Sequence, residues 1–193
     1  MSLQNLYLVR HGETAWSLSG QHTGRSDIPL TAHGEQQAAN LAGFFKSISL
    51  SQVFTSPRLR ARRTCELAGL GDRAVVVEDL AEWDYGDYDG RLAVDIRKDR
   101  PDWNIYYDGC PNGESPDQIV ARADRLIVRL RGMSGNIALF SHGHFGRVLA
   151  TRWLGLLLPE AKRLAIDPAT VGILGYEADQ RPAILQWNLV PVR

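Results

Sequence analysis

Three short polar clusters in this 193-residue chain carry side chains that can grip and attack a phosphoryl group: Arg10-His11-Gly12, Ser56 with Arg60, and Ser141-His142-Gly143. Arginine presents a planar fork of N–H donors that matches phosphate oxygens. Histidine attacks phosphorus through a ring nitrogen that carries no proton. Cations near His11 favour that free base, because Arg10, Arg60 and a protonated His142 would all disfavour charge on its ring. Gly12 lacks a Cβ, so the turn after His11 can bring backbone N–H groups close to an anion. A leaving alkoxide also needs a proton, and the segment from Glu82 to Asp89 offers several carboxylic acids.

These clusters act together only if the fold gathers them. Leu6-Tyr7-Leu8-Val9 reads as a buried strand that ends at Arg10-His11. Thr31 is placed to cap a helix whose apolar positions Ala38, Leu41, Ala42, Phe45 and Ile48 keep helical spacing. Val53-Phe54-Thr55 is a second strand running into Ser56-Pro57, an expected N-cap and first helical residue. Val75-Val76-Val77 is a third strand, followed by a polar, aromatic loop from Glu82 to Gly90. Ser115 and Gln118 form a capping box for a helix with Ile119, Val120, Ala123, Leu126, Ile127 and Leu130 on one face. Ile137 to Phe140 is a fourth strand that ends at Ser141-His142, with a helix carrying Phe145, Val148 and Leu149 after it. Val171 to Leu174 and Ile184 to Trp187 are expected to be edge strands. The alternation predicts an α/β fold, a mostly parallel sheet covered on both faces, within one domain spanning residues 1–193. Ligands of such sheets bind beyond the carboxyl ends of the strands, so all three clusters should meet in one pocket.

Leu8-Val9-Arg10-His11-Gly12-Glu13-Thr14 resembles the opening motif of the histidine phosphatase, or phosphoglycerate-mutase-like, superfamily. Further blocks follow in order: Thr23-Gly24, Leu30-Thr31 with Gly34, Thr55-Ser56-Pro57 with Arg60-Ala61 and Thr64, Leu80 with Glu82 and Tyr85-Gly86, and Ser141-His142-Gly143. The resemblance implies a three-layer α/β/α sandwich and a set of roles. His11 becomes phosphohistidine, Arg10, Arg60 and His142 hold the phosphoryl oxygens, and Glu82 donates a proton and then activates water. Choosing Glu82 over Asp84, Asp87 and Asp89 rests on the resemblance. Thr23 and Gly24 fall where the family touches substrate. Ser17 replaces an asparagine that braces the phosphate in many members, and its hydroxyl can still donate. Tyr85 and His144 complete the expected substrate-contacting residues; the bland alternative for Trp83, Tyr85 and Tyr88 is core packing.

Within the superfamily, phosphatases and phosphomutases share the phosphohistidine. The mutases carry extra basic residues after the proton-donor block, whereas Pro101 to Ala121 holds no Lys or Arg here. Ser19 to Asp27, Glu82 to Tyr88 and the segment around Asp108-Gly109-Cys110 are similar to the sedoheptulose-bisphosphatase and broad-specificity phosphatase branch. The expected activity is a metal-independent, cofactor-free phosphatase of small phosphorylated metabolites, sugar bisphosphates among them. The alternative is a phosphoglycerate-type mutase; a protein phosphatase and a non-catalytic phospho-ligand binder rank behind it.

Composition narrows the partners. Lys plus Arg and Asp plus Glu each number 22, so no basic surplus points to nucleic acid. Arg58, Arg60, Arg62 and Arg63 nevertheless crowd into six residues, enough for a local anion site, with Arg62 and Arg63 expected on an exposed helix face. No apolar run reaches the roughly 18 residues of a membrane span. Two cysteines, Cys65 and Cys110, fall short of a disulfide framework and favour a cytoplasmic setting. A homodimer is an expectation for the assembly. His22 and His33 are expected on the surface, and His144 has no further ligands at metal spacing.

Overall fold

Side-chain alternation along the strands decides the layers. In β1 (Leu6–Arg10), Leu6 and Leu8 face one side of the sheet while Tyr7 and Val9 face the other, and all four are buried. The same split runs through β2 (Leu50–Thr55) and β4 (Asn136–Ser141), which send Phe54, Ile137 and Leu139 one way and Val53, Ala138 and Phe140 the other. A sheet that is apolar on both faces must be covered on both. Helices α2 (Ala32–Phe45) and α3 (Leu59–Leu67) cover the Tyr7–Val9 face through Leu41, Phe45 and Cys65. Helices α6 (Pro116–Arg131) and α7 (Gly143–Trp153) cover the other through Ile119, Leu126, Phe145 and Leu149. This computed structural model describes residues 4–191, so residues 1–3 and 192–193 of the expected domain lie outside the described residues.

The six-stranded sheet has the order β3-β2-β4-β1-β5-β6, where β3 is Ala74–Val76, β5 Val171–Tyr176 and β6 Pro182–Leu189. Strands β3, β2, β4 and β1 are mutually parallel; β5 is antiparallel to both β1 and β6. The three-layer, mostly parallel architecture is therefore as expected, with one correction at the end of the chain. Of these last two strands β6 alone is an edge; β5 lies inside the sheet between β1 and β6, which explains why Val171 and Leu174 are fully buried.

Helix starts show where local signals are overridden. Thr31 caps α2, its hydroxyl accepting the Gly34 N–H at 2.9 Å, and Ser115 and Gln118 cap α6 reciprocally. Helix α2 stops at Phe45, so Ile48 packs on the core from beyond its end. Ser56-Pro57 does not open α3, which begins at Leu59 with Arg58 as its N-cap. Asp27, from a distant loop, accepts the Leu59 N–H at 2.9 Å, while the Ser56 hydroxyl bonds to His142. Short helices the sequence pattern does not announce are α1 (Ala15–Ser19), α4 (Ala93–Asp99) and α5 (Ile105–Asp108).

Candidate active site

Strand register brings the three clusters together. In the parallel β1–β4 pair Arg10 is opposite Ser141, so the next residues, His11 and His142, emerge side by side with ring centroids 5.2 Å apart. On the other side of β4, Thr55 pairs with Phe140 and the Ser56 N–H donates to the Phe140 carbonyl, which delivers Ser56 to the same edge. His142 Nε2 and Ser56 Oγ are 2.7 Å apart. Arg60 follows in the first turn of α3 and is completely buried, as is His142.

His11 is prepared as a base with one defined free nitrogen. Its Nδ1 lies 2.8 Å from the Gly12 carbonyl, which can only accept, so Nδ1 carries the proton and Nε2 holds the lone pair. Burial, then the Arg60 and Arg10 charges, hold the ring pKa well below the ordinary 6.5. The same causes, burial first and then Arg60, depress His142. Around these rings three buried nitrogens have no hydrogen-bond partner in the protein: Arg10 Nε, Arg60 Nε and His142 Nδ1. Buried polar groups are normally satisfied, so three unsatisfied ones in one place mark a site shaped for an outside acceptor. The other ends of both arginines are tied to backbone carbonyls: Arg10 to Ile166 at 2.6 Å, and Arg60 to Thr23 at 2.7 Å and Ser26 at 2.9 Å.

Glu82 reaches the site by serving as the cap that His142 does not supply. His142 is the N-cap residue of α7 but its ring is turned to Ser56, and Glu82 instead accepts the N–H groups of His144 at 3.1 Å and Phe145 at 2.7 Å. A carboxylate at a helix N-terminus is well placed electrostatically. Arg122 anchors the backbone beneath, bonding the Asp79, Ala81 and Glu82 carbonyls and the partly buried Glu114 carboxylate. Gly143, where a Cβ would sit 3.5 Å from the Arg10 guanidinium and 3.8 Å from Glu82 Oε2, lies between these two side chains.

A cavity of about 150 Å³ opens on this cluster, lined by Arg10, His11, Glu82, Gly143 and a rim from the 17–23 segment and α7. Of the sequence-derived contacts, Ser17, Thr23, Tyr85 and His144 line it. The Ser17 hydroxyl is engaged in the α1 capping box, accepting from Thr14 N at 2.8 Å and donating to the Thr14 carbonyl at 3.0 Å. Gly24 is not on the cavity wall. Its N–H goes to Asp89 at 2.7 Å, and its bare Cα lets the segment pack where a Cβ would meet the Trp83 carbonyl at 3.0 Å. Gly12 likewise serves packing rather than anion approach: its N–H is donated to Thr64 at 3.0 Å, and a Cβ would meet the Gly34 carbonyl at 2.5 Å.

Sequence reasoning missed Gly20, Gln21, His22 and Arg147 on the wall. His22, expected on the surface, is buried, stacks on Tyr85 at 4.6 Å and lines the cavity; burial lowers its pKa to about 4. Arg147 also lines the cavity, one helical position set after His144, and the i, i+3 spacing of His144 and Arg147 opposite the apolar Phe145 and Val148 was the available signal. His33 is exposed, as are Arg62 and much of Arg63, which pairs with Glu35 and Glu66. Trp83 and Tyr88 are core, whereas Tyr85 is both core and wall. Among the described residues no three His, Cys, Asp or Glu side chains cluster at metal-binding distance, and no helix is long and apolar enough to cross a membrane.

The model of the histidine phosphatase superfamily (branch 1) matches residues 6–190. The chain belongs to this superfamily. An acid phosphatase of Mycobacterium tuberculosis is 45% identical over 176 residues, covering 89% of this chain and 86% of that protein. Sedoheptulose 1,7-bisphosphatase of Saccharomyces cerevisiae is 42% identical over 182 residues, covering 77% of this chain and 67% of the relative. A solved structure of an open reading frame product from Mycobacterium tuberculosis superposes with a TM-score of 0.92 at 40% identity, covering 98% of this chain and 99% of the other. The site described above is thus the candidate active site of a histidine phosphatase, placed at the carboxyl ends of its parallel strands.

Proposed function

We propose that this protein hydrolyses phosphomonoesters of small metabolites, without a metal ion, through a phosphohistidine on His11. The observation that carries this reading is the bond from His11 Nδ1 to the Gly12 carbonyl, which leaves Nε2 as the one nucleophilic nitrogen, beside two arginines with unused Nε–H donors. In the first half-reaction the Nε2–P bond forms as the bond from phosphorus to the ester oxygen breaks, and Glu82 in its protonated form gives its proton to the departing alkoxide and is left as a carboxylate. In the second, Glu82 takes a proton from water, the water oxygen bonds phosphorus, and the N–P bond breaks to give phosphate and free His11. Arg10 and Arg60 balance the charge on the transferring oxygens, the electrostatic clamp such transfers depend on. His142 joins them in the tautomer in which the Ser56 hydroxyl donates to Nε2 and the proton sits on Nδ1.

A small substrate is supported by the cavity itself, whose volume of about 150 Å³ lies below the roughly 300–1,000 Å³ of pockets for drug-sized ligands. The names of the relatives, an acid phosphatase and a sugar bisphosphatase, support the same class. Two unpaired cysteines fit a cytoplasmic setting. The test is phosphate release from sugar mono- and bisphosphates, phosphoglycerates and an aryl phosphate, with no added metal and His11→Ala as control. His11-dependent release supports the reading. Isomerisation of phosphoglycerate with little release would replace it with a mutase, and full activity in His11→Ala would remove His11 from the reaction.

A further inference from the structure

The nucleophile depends on the direction of one carbonyl. His11 keeps its proton on Nδ1, and its lone pair on Nε2, while the Gly12 carbonyl stands 2.8 Å from Nδ1. Glycine is the residue least able to hold a carbonyl still, because it samples backbone angles closed to every other residue. Packing nevertheless requires it, since a Cβ would meet the Gly34 carbonyl at 2.5 Å. Freedom is thus forced on a residue that has to be rigid, and other groups must remove it.

Two side chains from different helices do so. The Gly12 N–H is donated to Thr64 Oγ1 at 3.0 Å, and the Glu13 N–H to Gln37 Oε1 at 3.0 Å. These N–H groups belong to the two peptide planes that flank the Gly12 Cα. The second plane also carries the Gly12 carbonyl, which points opposite to the Glu13 N–H. Both soft dihedrals of Gly12 are therefore pinned, one plane from α3 and the other from α2. Thr64 is completely buried, and its single hydroxyl proton is donated to the Arg60 carbonyl at 2.7 Å, which leaves its lone pairs for Gly12. One hydroxyl thereby serves the nucleophile turn and the residue that supplies the buried guanidinium. Gln37 is half-buried on the inner side of α2. Neither residue lines the cavity, so their effect reaches the reaction through His11.

We propose that Thr64 and Gln37 are positioning residues for His11: by holding the two peptide planes of Gly12 they fix which ring nitrogen carries the proton and so which one attacks. The inference rests on the phosphatase reading, in which Nε2 is the nucleophile. Its direct readout is the tautomer of one imidazole, which needs no turnover.

The tautomer is read by nitrogen NMR on protein carrying isotope-labelled histidine, with the His11 signals assigned by their loss in His11→Ala. At neutral pH the parent should show a protonated Nδ1 and a bare Nε2. Thr64→Val keeps the shape of the side chain and removes the acceptor; Gln37→Leu does the same on α2. Each should mix the two tautomers, lower kcat for an aryl phosphate at least about 10-fold and leave KM within about 2-fold, because a misplaced nucleophile costs rate rather than binding. Thr64→Ser keeps the hydroxyl, loses the methyl, and should retain the parent tautomer and most of the rate. Unfolding midpoints confirm the fold of each variant, and Gln37→Leu, at the more exposed position, carries the test by itself if Thr64→Val does not fold. A parent protonated on Nε2, or an unchanged tautomer in either folded variant, would overturn the proposal. So would a loss in Thr64→Ser as large as in Thr64→Val, which would trace the effect to packing of the methyl group. The expected tautomers in a protein that releases no phosphate from any ester would instead sink the phosphatase reading and leave the positioning of His11 standing.

Discussion

Lowering the pH in the absence of substrate perturbs four buried imidazoles at once, those of His11, His22, His142 and His144, and burial is the leading cause of the depressed pKa of each. In the unfolded chain each takes up a proton near the ordinary value of 6.5; in the folded chain each stays neutral to lower pH. Below 6.5 the unfolded state therefore binds more protons, and folding stability falls as pH falls. For His22 the interval from 6.5 to about 4 is worth about 3 kcal/mol in total, of which about 2 kcal/mol is lost by pH 5. The other three act in the same direction, each adding up to about 1.4 kcal/mol per pH unit. Against a total stability of about 5–15 kcal/mol this is a large fraction. Urea unfolding at pH 7, 6 and 5, at constant ionic strength and with the slope checked for constancy, measures it. His22→Phe keeps an aromatic ring against Tyr85 and removes one titration, so it should lose about 2 kcal/mol less than the parent between pH 7 and 5. Parallel pH dependences for the two proteins, or a gain of stability on acidification, would refute the reasoning.

Other outcomes follow from contacts around the site. Gly34→Ala drives a Cβ to 2.1 Å from the Glu13 carbonyl, a backbone clash, and should cost about 1–3 kcal/mol in chemical denaturation while also lowering turnover by displacing the turn after His11. Arg122→Ala leaves the partly buried Glu114 carboxylate without its ion-pair partner and should cost about 1–3 kcal/mol; a melting temperature within a degree or so of the parent would contradict that. Asp89 accepts the Gly24 and Ser26 N–H groups and the Ser26 hydroxyl, and the carbonyls of that same strap hold Arg60. Asp89→Asn should therefore lower kcat/KM for an aryl phosphate about 10-fold, equivalent to about 1.4 kcal/mol, with the fold intact by circular dichroism; an unchanged rate would show that the strap does not position Arg60.

Much of this was legible in the sequence because it rests on short-range signals. The strands β1 and β4 carry continuous apolar runs and β2 the shorter Val53-Phe54, and each ends at a polar cluster, so parallel register alone carries His11, Ser56 and His142 to one place. Thr31 and Ser115 cap as their neighbours dictate. The misreadings share a different cause. His142 stands at a helix start and Ser56 two residues before the Arg58 cap of another, yet the two turn to each other, and Asp27 and Glu82 do the capping from tens of residues away. Gly12 and Gly24 looked like anion contacts, but their missing Cβ atoms make room for backbone that arrives from Gly34 and Trp83. His22 looked like a surface residue because nothing near it in the chain announces the Tyr85 ring that covers it. Nor does local pattern show that β5 is enclosed, since that depends on where β6 pairs.

The most direct test of the account is to quench the enzyme with alkali during turnover of a radiolabelled phosphoryl donor and map the label by peptide. The account predicts an alkali-stable, acid-labile label on His11, absent from His11→Ala. Label on any other residue, or turnover with no label trapped even when Glu82→Gln slows the release step, would contradict it.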